Sequence, residues 1–323
     1  MQSVIPLLKF EPIFLSKPWG GDRIASFFST SPKSLIPSSC GEAWLLSDVP
    51  DNPSRLAEGK YKGKEIGFLI KEYGADLLGE KCYQTYQHRF PLLIKIIHAQ
   101  KPLSIQVHPK DQQVEEKHGQ RGKTEMWYIL ETKEKAQVIS GFHKKTSEKE
   151  FGTVLKSENE QDIFQYLKQI QVKKGDAFFV PAGRIHGIGR GILLAEIQES
   201  SDITYRVYDF GRDRQLHIKQ ALSVLDFHDT QGQKVENLSK NRIVSDYFVV
   251  QRLDISKPTI TNEQNLNSFR VYLSVRGKGK ILDEQKQTYL SQAGDCHLIP
   301  ATHKKLRLEP LSQDWEILNI HVP

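Results

Sequence analysis

Four residues near the middle of the chain have the spacing G-x5-P-x-G-x2-H, and the last of them can hold a metal ion. They are Gly175, Pro181, Gly183 and His186. Glycine permits the tight turn at the start and a positive φ after the strand, and proline ends the strand because it has no N–H for the ladder. The spacing therefore predicts a turn, a strand and then an imidazole, which is a common metal ligand in proteins.

This spacing resembles the second motif of the cupin barrel, whose first motif usually supplies two histidines and a glutamate. The corresponding segment here is SIQVHP at residues 104–109, and Glu125 follows on the next strand. Side chains alternate along a strand, so Gln106 and His108 share one face. The resemblance implies the ligands Gln106, His108, Glu125 and His186. Such a set without thiolate suits Zn²⁺, with Fe²⁺, Mn²⁺ or Co²⁺ chemically possible, and a catalytic site keeps one position open.

The turn and strand before His186 have an echo later in the chain. GDAFFVPA at residues 175–182 is matched by GDCHLIPA at residues 294–301, at a constant offset. Two related β-barrels in tandem are the economical interpretation, and chance similarity of two turn–strand units is the alternative. The position equivalent to His186 is Lys305. Since an ammonium group cannot replace a metal-binding imidazole, the second barrel is predicted to be free of metal.

Apolar runs bounded by glycine, proline and aspartate make up most of the chain and predict strands. Examples are residues 92–97, 126–130, 177–180, 193–197, 247–253 and 271–275. Helical periodicity is found in fewer places, at residues 65–78, 148–155, 162–170 and 218–227. The predicted fold class is therefore mainly β, with tandem cupin-like (jelly-roll) β-barrels and helical insertions.

A polar stretch at residues 229–245 lacks clear periodicity and is typical of a connector between domains. We therefore expect a metal-binding catalytic domain with the helical insertions at residues 1–230, and a C-terminal cupin-like domain at residues 240–323. The length of 323 residues fits two domains, given a usual size of roughly 150 residues each.

Composition and charge exclude several classes of protein. Hydrophobic residues make up 38% and charged residues 26%, as in an ordinary globular protein. No run approaches the roughly 20 apolar residues of a membrane span, and no signal-type apolar core follows the first methionine, so we expect a cytoplasmic protein. The formal net charge is +6, but the basic residues are scattered among acidic ones, which argues against nucleic-acid binding.

Two further features limit the kind of site and the assembly. The three cysteines lie far apart, which fits neither a disulfide framework nor a thiolate zinc cluster. Any metal must therefore be held by other ligands. No heptad or apolar helix face indicates an obligate oligomer, so we expect a monomer.

Six sequence blocks together carry a more specific resemblance. They are WGG at 19–21, CGEAW at 40–44, SIQVHP at 104–109, GKTEMWY at 122–128, PAGRIH at 181–186 and EIQESSDITYRVYD at 196–209. Over nearly its whole length the chain resembles type I mannose-6-phosphate isomerases, or phosphomannose isomerases, in their shorter bacterial form. The resemblance implies interconversion of mannose 6-phosphate and fructose 6-phosphate with one zinc ion per chain, held by the four ligands named above.

The same resemblance implies roles for further residues. Arg206 matches an arginine regarded as catalytic, Lys123 matches a lysine of the substrate pocket, and Glu196 falls near an acidic residue proposed for proton transfer. Isomerisation removes a proton from the carbon next to a carbonyl, and a guanidinium can stabilise the enediolate that forms. Glu196 could move the proton if burial raised its pKa, and a zinc-bound water or a histidine are the alternatives. For the phosphate, the candidates are Lys123, Arg184 and Ser104.

Simpler roles for these cations and two other functions remain open at this point. Arg206 could form a surface ion pair with Asp202 or Asp209, and Lys123 could be solvated in a polar insertion. A cupin oxygenase would use similar ligands to hold Fe²⁺ and activate O₂, although Gln106 and the Tyr-Arg block argue against it. A sugar-binding cupin without catalysis is the third hypothesis.

Overall fold

The computed structural model describes residues 5–86, 88–114, 121–157 and 159–323, over which the chain forms 24 strands and seven α-helices. The strands are β1 (Leu8–Lys9), β2 (Ile13–Gly21), β3 (Cys40–Leu46), β4 (Asp48–Val49), β5 (Asn52–Pro53), β6 (Leu92–Ala99), β7 (Ile105–Val107), β8 (Glu125–Thr132), β9 (Gln137–Phe142), β10 (Leu167–Gln171), β11 (Ala177–Val180), β12 (His186–Ile188), β13 (Ile192–Glu199), β14 (Tyr205–Tyr208), β15 (Lys234–Val235), β16 (Ile243–Val244), β17 (Val249–Ile255), β18 (Thr259–Asn262), β19 (Arg270–Arg276), β20 (Lys278–Leu282), β21 (Thr288–Gln292), β22 (Cys296–Ile299), β23 (Lys305–Pro310) and β24 (Trp315–His321). The helices are α1 (Arg23–Phe27), α2 (Ile66–Tyr73), α3 (Ala75–Leu78), α4 (Glu80–Tyr86), α5 (Glu148–Ser157), α6 (Glu160–Phe164) and α7 (Ile218–Val224). The prediction of a mainly β protein with helical insertions is confirmed. Among the described residues, no helix has the length and apolar character needed to cross a membrane.

Two antiparallel sheets in the first two thirds of the chain share one apolar core. The larger has seven strands in the order β15-β11-β8-β13-β6-β3-β2, and the smaller has five in the order β10-β9-β12-β7-β14. One buried cluster draws on both sheets, with Trp127 and Phe178 from the larger and Val138 and Ile188 from the smaller. The two sheets therefore pack together, and side chains from both can meet in one site.

Strands β6 and β13 lie side by side within the larger sheet and are buried along their whole length. Their sequences, LLIKIIHA and ILLAEIQE, are almost continuous apolar runs, as expected of strands covered on both faces. Lys95 and Glu196 interrupt these runs directly opposite each other. A charge buried in such a sheet is tolerated only when it is paired, and this pair marks the part of the sheet where chemistry can occur.

The last third of the chain forms another pair of sheets with a related local plan. Six strands have the order β1-β22-β19-β24-β17-β16, and four have the order β18-β23-β20-β21. Strand β11 follows Gly175 and pairs with β8, while β22 follows Gly294 and pairs with β19. The two glycines have φ values of 87° and 93°, which glycine adopts without strain. The two turn–strand units that echo each other in sequence thus share their geometry.

Strand β1 belongs to the C-terminal six-stranded sheet although it lies near the start of the chain. Its residues Leu8 and Lys9 pair with Leu298 and His297. At the other end of the first pair of sheets, β15 pairs with β11, and the next strand, β16, already pairs with β17. The division into domains at residues 1–230 and 240–323 stays a prediction. The structure adds that β1, from the first of these ranges, pairs within the C-terminal sheet.

Two predicted helices differ from the structure. The predicted helix at residues 65–78 is divided into α2 and α3 at Gly74, whose φ is 51°. The predicted helix at residues 162–170 is wrong in its second half, because α6 ends at Phe164 and Leu167–Gln171 forms β10. Strand β10 pairs with β9 at the edge of the smaller sheet. Pairing with a neighbouring strand here outweighs the local helical pattern.

Replacing Phe269 by alanine should destabilise the whole chain, because one buried cluster extends from the first pair of sheets to the second. Phe269 is fully buried, and its ring centroid lies 4.9 Å from that of Phe90. We expect a loss of about 3–5 kcal/mol in the free energy of unfolding for Phe269→Ala, measured by urea denaturation. Phe269→Leu should lose less, and a loss below about 1 kcal/mol for the alanine variant would contradict this packing.

Candidate metal centre

The four expected metal ligands lie in or directly beside three strands of the two packed sheets. Gln106 lies in β7 and His108 directly follows it, Glu125 begins β8, and His186 begins β12, where it pairs with Gln106 in register. Ligand atoms of His108, Glu125 and His186 all lie within 4.8 Å of one another, and the three side chains are buried. Since β7 and β12 belong to the smaller sheet and β8 to the larger, packing of the two sheets assembles the cluster.

Both imidazoles are oriented by backbone carbonyl groups. The Nδ1 atom of His108 lies 2.8 Å from the carbonyl oxygen of Ile203, and that of His186 lies 2.9 Å from the carbonyl oxygen of Arg184. Because a carbonyl oxygen only accepts, the proton of each neutral ring resides on Nδ1 and Nε2 keeps its lone pair. Burial lowers the pKa of His108 to about 3 and also lowers the pKa of His186, so both rings are neutral.

The donor atoms inside this cluster face one another without a proton between them. Nε2 of His108 lies 3.4 Å from Oε2 of Glu125, and Nε2 of His186 lies 3.6 Å from Oε1 of the same carboxylate. Nε2 of His108 and Oε2 of Glu125 are buried and have no hydrogen-bond partner among the residues that the structure describes. Opposed lone pairs in a buried place fit a cation between them, and two imidazoles with a carboxylate are a common ligand set for Zn²⁺.

Gln106 lies beside the cluster, but its amide nitrogen, and not its amide oxygen, faces the imidazole of His186. Its Nε2 atom is 3.3 Å from Nε2 of His186, and its Oε1 atom accepts a hydrogen bond of 2.9 Å from Ser104 Oγ. The amide oxygen would reach a metal held by the imidazoles after a half-turn of the amide group. Ser104 thus contacts Gln106, and it does not line the cavity described below.

Buried lysines accompany the carboxylates of the site. Lys123 Nζ lies 3.3 Å from Oε2 of Glu125, and Lys95 Nζ lies 3.0 Å from Oε1 of Glu196. Glu42 accepts a hydrogen bond of 2.7 Å from Trp44 Nε1. Lys123 is only 4% exposed, so it is not a solvated side chain. Sequence reasoning did not assign Lys95 or Glu42 to the site, although a lysine inside an otherwise apolar strand is a signal that could have found Lys95.

A cavity of about 540 Å³ lies next to the cluster and combines both signs of charge. Its lining includes the basic side chains Lys17, Lys95, Lys123, Arg206 and Arg214 and the acidic side chains Glu42, Glu196 and Asp202. Gln106, Trp19, Thr204 and His217 also line it. A cavity of this size accommodates a phosphorylated hexose, whose hydroxyl groups and phosphate need polar and cationic partners.

Arg206 contributes its guanidinium to the cavity from β14. One terminal nitrogen donates to the carbonyl oxygen of Gln215 at 3.1 Å, and within the described part of the chain the buried Nε atom has no hydrogen-bond partner. Asp209, one of the two possible surface partners, is bound instead by Arg212 at 2.6 Å and by Arg214 at 2.7 Å. Part of the guanidinium of Arg206 is therefore available to a ligand.

The structure does not place Arg184 at the cavity. Its guanidinium forms two hydrogen bonds with Asp229, of 2.6 and 3.0 Å, and a third of 2.8 Å with the carbonyl oxygen of Phe179. This side chain is 7% exposed, so the ion pair is shielded from water. Arg184 thus stabilises the turn before His186, and it is in no position to bind a phosphate in the cavity.

Two carboxylates and a carbonyl group hold the segment that leads into β8. The backbone N–H of Gly122 donates to Asp111 Oδ1 at 2.6 Å, that of Lys123 to the carbonyl oxygen of Pro109 at 3.1 Å, and that of Thr124 to Glu199 Oε1 at 2.8 Å. Three consecutive N–H groups are therefore fixed by other parts of the chain. These bonds fix the backbone from which the side chains of Lys123 and Glu125 extend into the site.

Comparison with known proteins agrees with this geometry. Residues 7–134 match the family model described as phosphomannose isomerase type I, catalytic domain. Mannose-6-phosphate isomerase ManA of Bacillus subtilis is 33% identical over 316 residues, which cover 94% of this chain and 95% of that protein. Mannose-6-phosphate isomerase of Streptococcus mutans is 35% identical over 329 residues, covering 96% of this chain and 98% of that one. This chain belongs to the type I phosphomannose isomerase family.

A solved structure of the family also matches the fold. The crystal structure of mannose 6-phosphate isomerase from Bacillus subtilis has a TM-score of 0.85 and 29% sequence identity to this chain. The match covers 98% of this chain and 100% of that one. The resemblance to type I phosphomannose isomerases inferred from the six sequence blocks is confirmed.

Removing one imidazole from this site should abolish tight binding of a divalent metal ion. For His186→Gln we expect a loss of bound metal after dialysis against buffer with a weak chelator, because the variant lacks one of two neutral nitrogen donors. The measurement is metal content by atomic absorption. His297→Gln is the matched control, since His297 is equally buried but lies in β22. Equal metal content in both variants would contradict the site.

Glu199 should make the stability of the protein depend on pH. Burial, followed by the nearby charge of Asp111, raises the pKa of Glu199 to about 7. The unfolded state then holds fewer protons than the folded state between about pH 4.5 and 7, so stability falls as the pH rises.

Relative to Glu199→Gln, wild-type protein should therefore lose roughly 2–3 kcal/mol in free energy of unfolding between about pH 5 and 8. Glu131→Gln, at a half-exposed site, serves as the control. Urea denaturation at several pH values measures the difference, and a constant difference would refute this account of Glu199.

Proposed function

We propose that this chain interconverts mannose 6-phosphate and fructose 6-phosphate with one Zn²⁺ per chain. The observation that carries the proposal is the meeting of two neutral imidazoles and a buried carboxylate beside a cavity lined by lysines and arginines. The names of the relatives from Bacillus subtilis and Streptococcus mutans support the same reaction. His108, Glu125 and His186 would hold the metal, with Gln106 as a fourth ligand.

Zinc, when bound, supplies a Lewis acid for the two oxygens at C1 and C2 of the sugar. The chain itself must orient the sugar, keep water out and move one proton between these two carbons. Neutral imidazoles and a buried carboxylate keep the site ready for the metal without competition from protons.

Glu196 is our candidate for the group that moves the proton. Burial, followed by the nearby charge of Glu125, raises the pKa of Glu196, which makes its carboxylate a stronger base than an exposed one. Lys95 lies 3.0 Å from it and stays protonated. Although burial lowers the pKa of Lys95, Glu196 and Glu42 raise it by more. Lys95 therefore stabilises the charge of Glu196 and does not act as a base.

The cations of the cavity divide between the reacting carbons and the phosphate. Arg206 is proposed to stabilise the developing enediolate, and Lys123 lies where it can hold a sugar oxygen near Glu125. For the phosphate we propose Arg214 in place of Arg184 and Ser104. The Arg214 guanidinium stacks 4.9 Å from the Trp19 ring centroid and is fixed by Asp209, so a planar pair of donors is held in place.

A coupled assay of purified protein tests this function directly. We expect conversion of mannose 6-phosphate to fructose 6-phosphate, loss of turnover after chelation and recovery with Zn²⁺. Turnover should proceed under anaerobic conditions, and in air it should consume no O₂. O₂ consumption would favour a cupin oxygenase, and binding of the sugar phosphate without turnover of metal-loaded protein would favour a sugar-binding protein.

Arg206→Ala should lower kcat about a hundredfold, as expected when one preorganised donor to a developing charge is lost. Zinc content should stay at one ion per chain, because Arg206 is not a ligand. Arg190→Ala is the matched control, since Arg190 is exposed and does not line the cavity. Loss of zinc together with activity in Arg206→Ala would show that the arginine has been assigned the wrong role.

A further inference from the structure

Four side chains form a row across the larger sheet, one from each of four neighbouring strands. In register, Trp44 of β3 lies opposite Lys95 of β6, Lys95 opposite Glu196 of β13, and Glu196 opposite Trp127 of β8. Directly opposed residues point to the same face of a sheet. The ion pair at the centre of the row is therefore flanked by an indole on each side.

Trp127 makes contacts that the motif analysis did not assign. Its Nε1 atom lies 3.0 Å from Oε1 of Glu125 and 3.1 Å from Oε2 of Glu196. The edge of its ring system meets the ring of His186 with centroids 5.7 Å apart. Trp127 is fully buried, so water does not compete for its single N–H. One donor is therefore shared between a metal-site carboxylate and the carboxylate of the proton-transfer candidate.

The electrostatics of the site give this shared donor a function. Two carboxylates in a buried place repel each other strongly, because the local dielectric is low. A single N–H between them stabilises both charges and fixes the distance between the two groups. The hydrogen bond from the Trp127 indole also fixes the orientation of the Glu125 carboxylate. While Oε1 faces the indole, Oε2 is directed at Nε2 of His108 and at Lys123.

A similar pair on β3 shows what is specific to Trp127. There Trp44 donates to Glu42, two residues earlier in the same strand, at 2.7 Å. That indole N–H has one carboxylate partner, and Lys95 lies over its ring, 5.2 Å from the centroid. A tryptophan bound to the glutamate two positions before it is thus a local arrangement found on both strands. The two tryptophans of the row differ in one respect. The indole N–H of Trp127 also contacts a second carboxylate, that of Glu196 on the neighbouring strand.

We propose that Trp127 is a positioning residue that joins the metal site to the proton-transfer group by sharing its indole N–H between Glu125 and Glu196. This inference rests on the proposed function for the role of Glu196. The part that concerns Glu125 depends only on metal binding. The two parts can therefore be tested separately.

Two replacements remove the indole N–H, and they differ in how much they change the packing around position 127. Trp127→Phe removes the donor and part of the ring, whereas incorporation of 3-benzothienylalanine at position 127 replaces the N–H by sulfur and keeps the volume of the side chain. The control is Trp315→Phe, because Trp315 is also fully buried and donates to Ser274 Oγ at 3.0 Å, but lies in β24. Thermal unfolding of every variant shows whether it is folded.

The deciding measurement is the dissociation constant for Zn²⁺ itself, obtained by competition with a chromophoric chelator. Loss of a group that orients a metal-binding carboxylate should weaken Zn²⁺ binding about tenfold or more in both Trp127 variants. Trp315→Phe should lose stability but keep the wild-type affinity. Wild-type affinity in the benzothienylalanine variant overturns the inference, whether or not Trp127→Phe folds.

Kinetics of the Zn²⁺-saturated variants test the contact with Glu196. We expect kcat for mannose 6-phosphate to fall about tenfold, with KM changed by less than about twofold, because the indole contacts the proton-transfer group and no part of the phosphate site. A rise in KM at unchanged kcat overturns this part. If wild-type protein does not turn over mannose 6-phosphate, the proposed function fails, while the Zn²⁺ affinities still decide the contact with Glu125.

Discussion

Buried charges in an otherwise apolar sheet are the constraint on which the site depends. Lys95 and Glu196 lie in two strands that are covered on both faces, and each would be very costly there without the other. Lys123 and Glu125 form a second such pair at the beginning of β8. The register between β6 and β13 must keep Lys95 opposite Glu196, because a shift of one residue would turn a charge into the apolar core. The geometry of the site is therefore a consequence of how these charges are neutralised.

The imidazoles depend on the same sheets in a different way. His108 and His186 come from the smaller sheet, and both are held by backbone carbonyl groups, so their orientation is set by main-chain geometry. Burial keeps them neutral, whereas the effect of burial on Glu125 is outweighed by the charge of Lys123 together with the contacts to the two imidazoles, which lower the pKa of that carboxylate. A site with neutral nitrogen donors and a charged oxygen donor is ready for a divalent cation over a wide range of pH.

Sequence patterns predicted the parts of this arrangement that local chemistry determines. The glycine–proline–glycine–histidine spacing, with the cupin resemblance, led to four residues that the structure brings together, and apolar runs located the main strands. The helix predicted at residues 162–170 failed in its second half because pairing with β9 is a non-local effect. Arg184 was expected near the phosphate, but its partner Asp229 lies far along the chain and could not be inferred from the motif. The sequence did not connect Lys95 and Trp127 with Glu196, because these contacts are set by the order of the strands.

The pairing of β1 with β22 has a consequence for synthesis of the chain. The strand at Leu8–Lys9 pairs with β22 at Cys296–Ile299, almost at the other end of the sequence. During translation the two N-terminal sheets can assemble before β22 has been synthesised. Until then, the edge of β1 that pairs with β22 has no strand partner. A chain that lacks β22 would therefore leave one edge of β1 unpaired and open to association with other molecules.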